Sequence, residues 1–417
     1  MSDIALHRSI GEIKAVAWDA LFPGQAEAHA YLGAVERAGL DGFELFYVTV
    51  REGERIAAAA PGFVTEYELD ATVQGPVKAA VRAVRTVWPR FLKLKLCCLG
   101  SPVTETAGLG LDATADAAER ARLTGLLLQG LALKGKAAGA RLTAVKDVPR
   151  ADAISLAAAE RAGLNPMASL PTAVLDLDGV SEDSWWASLS HATRKDLRRK
   201  LKRASGLAVE RVRDLAPYAA RIDALYAATR ARSELQFERL DWRFFQAVLD
   251  AMGEDAACVL YKLGDEAIAF NLLVASAETV VDKYFCADHR GPEHNLYFVS
   301  WIENLRYALS RNARSLVAGQ ACYEPKLRLG CRLEPTAILF RHAWPPVNAA
   351  LKLASRVLDV EHTDPALKTA KAKARTGASR RPGASVQAAA PEPRRATIPL
   401  RPSGPPSPQG EDQHLAA

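Results

Sequence analysis

The chain has 417 residues, 49% of them hydrophobic, with 54 Lys and Arg against 48 Asp and Glu and a formal net charge of +6. That apolar content suffices for two cores of ordinary domain size. No run reaches the roughly 18 apolar residues of a membrane span, and residues 1–10 lack a signal-peptide layout, so a cytoplasmic protein without stable membrane insertion is expected.

The charge belongs to one end. Nine Lys and Arg and three acids lie from Pro365 onward, which leaves 45 basic and 45 acidic residues before it. Residues 364–417 are rich in Ala, Pro, Ser and Gly and poor in large apolar residues, so this basic tail is expected to be disordered. The six cysteines, at 97, 98, 258, 286, 322 and 331, show no CxxC spacing. The histidines form no ligand cluster, and both facts argue against a structural zinc site.

In chain order, residues 43–50 and 56–63 flank a polar turn and read as a hairpin. A helix at 77–87, a strand at 91–99, a helix at 115–136 and a strand at 141–146 follow. Residues 172–177 form a strand expected to bridge two halves. Seven of the ten residues from Arg194 to Arg203 are Lys or Arg, on a helical connector over 181–204.

A strand at 207–213 and a helix at 217–230 then lead to Asp241, placed to cap a helix in which Phe245, Val248, Leu249 and Met252 share a face. Strands at 258–263 and 267–275 make a hairpin, and a third strand covers 279–287. A helix at 293–311, a strand at 315–318, a short basic helix near 326–329 and a strand at 336–341 complete the order, with a terminal helix at 346–363.

Three antiparallel strands followed by helix, strand, helix and strand is the order of the GNAT acyltransferase core. The first half repeats that logic. The run A-V-A-W-D-A-L-F (15–22) followed by H-A-Y-L-G-A-V-E-R-A-G (29–39) resembles the start of the FemAB-like N-acyltransferases, which hold two GNAT-like domains in tandem. L-S-H-A-T-R-K-D-L-R-R-K-L-K-R (189–203) is similar to the start of the acetyltransferase domain of cellulose and exopolysaccharide clusters. G-Q-A-C-Y-E-P-K-L-R-L-G (319–330) resembles the corner of the same group.

The resemblance implies an α+β fold of two tandem GNAT-like domains, at 1–180 and 205–345. It implies an N-acyltransferase that uses a thioester donor, acyl-CoA first, and an amine acceptor on a small molecule or envelope precursor. The chain departs from the family at Leu296-Tyr297-Phe298-Val299, where a Leu-His-Phe-Glu run is usual. In Arg290-Gly291-Pro292-Glu293-His294-Asn295 the pyrophosphate loop lacks its second glycine. An aminoacyl-tRNA-dependent transferase and a non-catalytic binding protein therefore stay open beside the thioester reading.

Acyl transfer to an amine needs a base and oxyanion donors, and often an acid for the leaving group. Strict alternation puts Asp282 and Tyr284 on one strand face, as base and substrate contact, with Lys283 and Phe285 on the other. Tyr323 is the candidate acid, while Gln320, Glu324 and Lys326 are placed to orient substrate. Asn295 and Tyr297 stand at the start of the helix where phosphate would bind. Arg194 and Arg198, one turn apart, could grip phosphate. The plainer alternatives are a paired Asp282, a Glu324–Lys326 ion pair at a helix start and a solvated connector face.

Overall fold

The computed structural model describes residues 2–68, 93–204, 206–233, 238–357 and Leu367. The expected helix at 77–87 lies outside them, as does the tail from 364 apart from Leu367, which is buried. The fold is α+β, with two mixed sheets flanked by helices.

The first half contains β1 (Ser2–His7), α1 (Ala15–Asp19), α2 (His29–Ala38), β2 (Phe43–Glu52), β3 (Arg55–Glu68), β4 (Lys93–Leu99), β5 (Gly110–Leu111), α3 (Ala117–Ala138), β6 (Leu142–Pro149), α4 (Ala153–Arg161), β7 (Asn165–Ala168) and β8 (Thr172–Asp176). The connector forms α5 (Glu182–Ser188) and α6 (His191–Arg203). The second half contains β9 (Ala208–Val212), α7 (Ala219–Arg232), α8 (Trp242–Met252), β10 (Ala256–Leu263), β11 (Glu266–Ala275), β12 (Thr279–Ala287), α9 (Leu296–Ser310), β13 (Ser315–Gly319), α10 (Tyr323–Arg328), β14 (Arg332–Glu334), β15 (Thr336–His342) and α11 (Pro345–Val357).

Local chemistry sets the helix ends. Asp116 accepts from the Glu119 N–H to start α3, and Gly139, at φ 67°, closes it in the left-handed conformation. Asp241 caps α8 as the sequence suggests, accepting from the Arg243 N–H at 2.9 Å. Midway along α3, Gly130 lets the helix lie against β2, since a Cβ there would stand 2.4 Å from a Val48 methyl.

Sheet order departs from a division at residue 180. The first sheet runs β1-β2-β3-β4-β6-β15-β7, with β5 beside β3, and the second runs β14-β8-β13-β12-β11-β10-β9. The halves exchange strands. β8 crosses into the second sheet, the bridge expected at 172–177, while β15 from the end of the second half enters the first sheet between β6 and β7. Sequence order alone puts the closing strand at 336–341 in its own half. The structure corrects this, because β6 and β7 each satisfy a free edge by pairing with β15.

The cores interlock too. Ala26, Tyr31, Val35, Leu40 and Val103 of the first half share one cluster with Phe244, Phe245, Val248, Leu260, Phe270 and Cys286 of the second. Helices α3 and α4 cover a separate core on the first sheet, to which Leu339 of β15 contributes. Five of the six free cysteines are buried, and only Cys322 is exposed. Among the described residues no helix is long and apolar enough to cross a membrane, and no group of three His, Cys, Asp or Glu could hold a metal ion.

A fragment of residues 1–180 lacks β15, so its first sheet has unpaired edges at β6 and β7 and its shared core is open. Such a fragment should give a collapsed NMR spectrum without native dispersion, whereas the whole chain gives a dispersed one. A fragment that folds cooperatively by itself would refute the exchange.

Candidate active site

The second sheet opens between β12 and β13. These parallel strands pair only where Thr279–Val281 faces Ser315–Val317, and then part. The register of β12 against β11 slips at the same level: Leu273 lies opposite Asp282 but Leu272 lies opposite Tyr284, so Lys283 is an extra residue in a bulge. The bulge resets the alternation. Asp282 falls on the α9 face, where its partner Leu273 packs with Trp301 and Leu305. Tyr284 falls on the α7 and α8 face, its ring 5.9 Å from Phe244 and 5.5 Å from Phe245. The expected shared face for Asp282 and Tyr284 is therefore wrong.

Around Asp282 the sheet is polar. Asn271 of β11 donates from Nδ2 to Asn304 Oδ1 of α9 at 2.7 Å, and both side chains are buried. Oδ1 of Asp282 and of Asn271, Nδ2 of Asn304 and the hydroxyls of Tyr261 and Tyr297 are buried without a hydrogen-bond partner. Burial lifts the Asp282 pKa to about 6, against the pull of the Lys326 ammonium and the nearby Asn271 and Asn304 amides. Burial, with the Asp282 charge second, pushes the Tyr297 hydroxyl up in turn. The carboxyl is thus ionised at neutral pH, yet far more basic than an ordinary aspartate.

On the opposite face the Lys283 side chain is only 2% exposed. Its ammonium pairs with Glu27, stands 3.3 Å from Glu105 Oε1 and donates to the Val103 carbonyl at 2.8 Å. Burial opposes that charge, but Glu27, Tyr31 and Glu105 outweigh it and hold the Lys283 pKa well above its usual value. Tyr284 donates to Glu238 Oε1 at 3.4 Å, and burial raises the Glu238 pKa.

The 319–326 corner closes the other side of the opening. Lys326 is 6% exposed, and its ammonium donates to the Ala318 and Gly319 carbonyls at the end of β13. Burial lowers its pKa, with Asp282 opposing. Lys326 is thus a buried positive neighbour of Asp282. Glu324 does not pair with it: Glu324 is exposed and sits 3.6 Å from Arg328. Buried Tyr323 has its hydroxyl 2.8 Å from the carbonyls of both Pro171 and Gln320, and so ties the corner to β8. Gln320 Nε2 is buried without a partner.

The connector arginines are engaged elsewhere. Arg194 donates to the Ala187 carbonyl at 2.9 Å and to that of Leu189, closing the end of α5. Arg198 lies 5.6 Å over the Trp186 ring. At the start of α9, Asn295 takes a left-handed φ of 53°. The N–H groups of Leu296, Phe298 and Val299 bond to the Gly291 and Asn295 carbonyls, so this turn spends most of its donors within the chain. Arg290 is fixed by Asp288 and by both Glu266 oxygens. A groove of about 420 Å³ between α3, α4 and Arg341 lies on the first sheet and includes none of these groups.

The structure thus joins Asp282, Tyr297 and Lys326, and it adds Asn271, Asn304, Lys283, Glu27 and Glu105. The sequence offers one signal for the first pair: Asn271 interrupts the apolar run from Ala267 to Ala275, and Asn304 falls between Trp301 and Leu305 on an otherwise apolar helix face. The glutamates lie far away in the chain, and nothing local marks them.

A family model described as "Peptidoglycan biosynthesis/recognition", FemAB-like, matches residues 9–353. A crystal structure of FemX is similar over 75% of this chain and 91% of that one, at TM-score 0.50 and 15% identity. A tandem GNAT protein from the clavulanic acid biosynthesis pathway is similar over 82% and 99%, at TM-score 0.49 and 12% identity. "Putative 8-amino-7-oxononanoate synthase 2" of Mycobacterium tuberculosis (strain H37Rv) is 30% identical over 173 residues, which are 39% of this chain but only 22% of that protein. Matched from residue 9 to residue 353, across both sheets and the strands they exchange, the chain belongs to the FemAB-like family.

Proposed function

We propose that the protein is an N-acyltransferase that moves an acyl group from a thioester donor, acyl-CoA first, to an amine of a cell-envelope or polysaccharide precursor. The observation that carries this reading is Asp282, whose pKa is lifted to about 6 at the opening of β12 from β13 in a FemAB-like chain.

The acceptor arrives as an ammonium and must lose a proton before its lone pair can attack. Asp282 takes that proton, and its raised pKa narrows the gap between acid and base. The nitrogen bonds to the thioester carbon while the carbonyl electron pair moves to oxygen, where the unpaired Tyr297 hydroxyl is the nearby donor. Collapse of the tetrahedral species breaks the C–S bond and the thiolate leaves; the nitrogen, still carrying one proton too many for an amide, gives it to the departing thiolate, and Asp282 releases the first proton to solvent.

An aminoacyl ester carried by tRNA is the second reading. The specific observation in its favour is the α9 start, where the N–H groups of Leu296 and Phe298 are already bonded within the chain, which leaves fewer donors for a pyrophosphate. A panel of acyl-CoAs and charged tRNAs, scored for amide product, separates the two. Binding of amine acceptors without any product from either donor would favour a binding protein.

Asp282→Asn keeps the shape and removes the base, so kcat should fall about 10²–10⁴-fold with acceptor binding little changed. Full turnover in the variant would move the base elsewhere. The substitution also has a readout independent of activity. The folded state holds the Asp282 proton more tightly than the unfolded chain, so its favourable contribution is complete below about pH 4 and is lost as pH rises to about 6. Urea titrations across that window should show wild type losing stability relative to Asp282→Asn.

Lys326→Met removes the positive neighbour that holds the Asp282 pKa down. The rising limb of kcat/KM against pH should therefore shift to higher pH. A drop in rate without a shift would make Lys326 purely structural.

A further inference from the structure

The groove over the first sheet, between α3 and α4, shares no residue with the Asp282 opening. Its volume of about 420 Å³ falls in the range of about 300–1,000 Å³ usual for small organic ligands. It follows α3 from Ala121 to Ala132, about 16 Å of helix. Buried Leu128, Leu131 and Leu164 make its floor apolar, and Ala158 and Ala162 keep the α4 wall free of bulk. The glycines of α3 show that this space is not incidental. A Cβ at Gly130 would stand 2.4 Å from Val48, and one at Gly135 would stand 3.0 Å from Thr143, so packing requires both. At Gly125, which lines the groove, a Cβ would meet nothing within 4 Å. A glycine inside a helix weakens it relative to alanine. Gly125 therefore weakens α3 without serving its packing, and what it preserves is the open groove.

Charge tells what the groove would hold. Arg341 Nη1 donates to the Ala162 carbonyl at 3.3 Å, and Arg161 is the residue before it, so two guanidinium groups meet at the end of α4. No acid lines the groove, and among the described residues neither arginine forms an ion pair. A guanidinium presents its donors as a fork that fits the oxygens of a carboxylate or a phosphate. An apolar trough that ends in two such forks complements an apolar chain with an anion at its tip. Self-association suits the groove less well, since a two-fold contact would bring four guanidinium groups together with no acid from either lining.

We propose that this groove binds an unbranched apolar chain ending in a carboxylate or a phosphate, with the chain along α3 beside Gly125 and the anion between Arg161 and Arg341. The inference stands independently of the acyl-transfer reading.

The test is calorimetric titration of the full chain with decanoate, decyl phosphate and decanol, each below its micelle threshold. At least one anion should bind with a stoichiometry of one and about tenfold or more tighter than decanol, and the tighter of the two identifies the head group. Gly125→Leu fills the groove with a better helix former, so it should abolish binding while the melting temperature holds or rises. Arg161→Gln with Arg341→Gln should reduce the anions to the affinity of decanol, with circular dichroism unchanged. Absence of binding by both anions, equal binding of decanol, or full binding by Gly125→Leu would overturn the proposal. So would a solution dimer that falls to a monomer in Gly125→Leu, since the groove would then join copies of the chain.

Discussion

A buried ammonium sets the terms for the centre of this molecule. Lys283 projects from a bulge in β12 into a space that only the first half of the chain can fill, and Glu27 and Glu105 come from segments far earlier in sequence to meet it. Left unpaired in that interior, the charge would cost several kcal/mol, and removing one partner of such a cluster typically costs about 3–5 kcal/mol. The pairing therefore fixes the loops after α1 and β4 against the second sheet. Packing then completes the junction, with Tyr31 and Val103 in the same core as Phe245 and Phe270. Strand exchange through β8 and β15 makes the union covalent in both directions.

The same bulge decides what the opening contains. Without the extra residue Asp282 and Tyr284 would share a face. With it, Tyr284 turns to the Lys283 side of the sheet while Asp282 faces α9. Alternation along the strand keeps Lys283 off the Asp282 face, and the positive neighbour of Asp282 is Lys326, whose ammonium is held by the carbonyls at the end of β13. Burial outweighs that charge and lifts the carboxyl pKa to about 6.

Most elements were legible because their signals are local. The Asp241 cap, the apolar faces of α8 and α9 and the bridging strand at 172–177 follow from spacing and end residues. Two features depend on pairing between distant segments, and a single sequence does not encode them locally. One is the register slip at Lys283, which nothing in T-V-V-D-K-Y-F-C-A announces, so strict alternation gives the wrong face to Tyr284. The other is the placement of β15, where a seven-residue apolar strand suits either sheet. Arg194 misleads for a related reason: its charge suggests phosphate, while its hydrogen bonds go to the carbonyls that end α5.

The polar groups behind Asp282 are the least economical part of the fold. Asn271 sits in a strand that is otherwise apolar from Ala267 to Ala275, and Asn304 in a buried helix face. Their mutual hydrogen bond satisfies one donor and one acceptor and leaves one of each buried without a partner, with Tyr261 and Tyr297 beside them in the same condition. Each such atom costs about 1–3 kcal/mol, and leucine at both asparagine positions would avoid the cost. Sequences that fold well rarely oppose their own hydrophobic pattern except where a site requires it. The conflict is concentrated on the Asp282 face of the sheet, and it is the physical ground on which the opening of β12 from β13, rather than the groove on the first sheet, is proposed as the site.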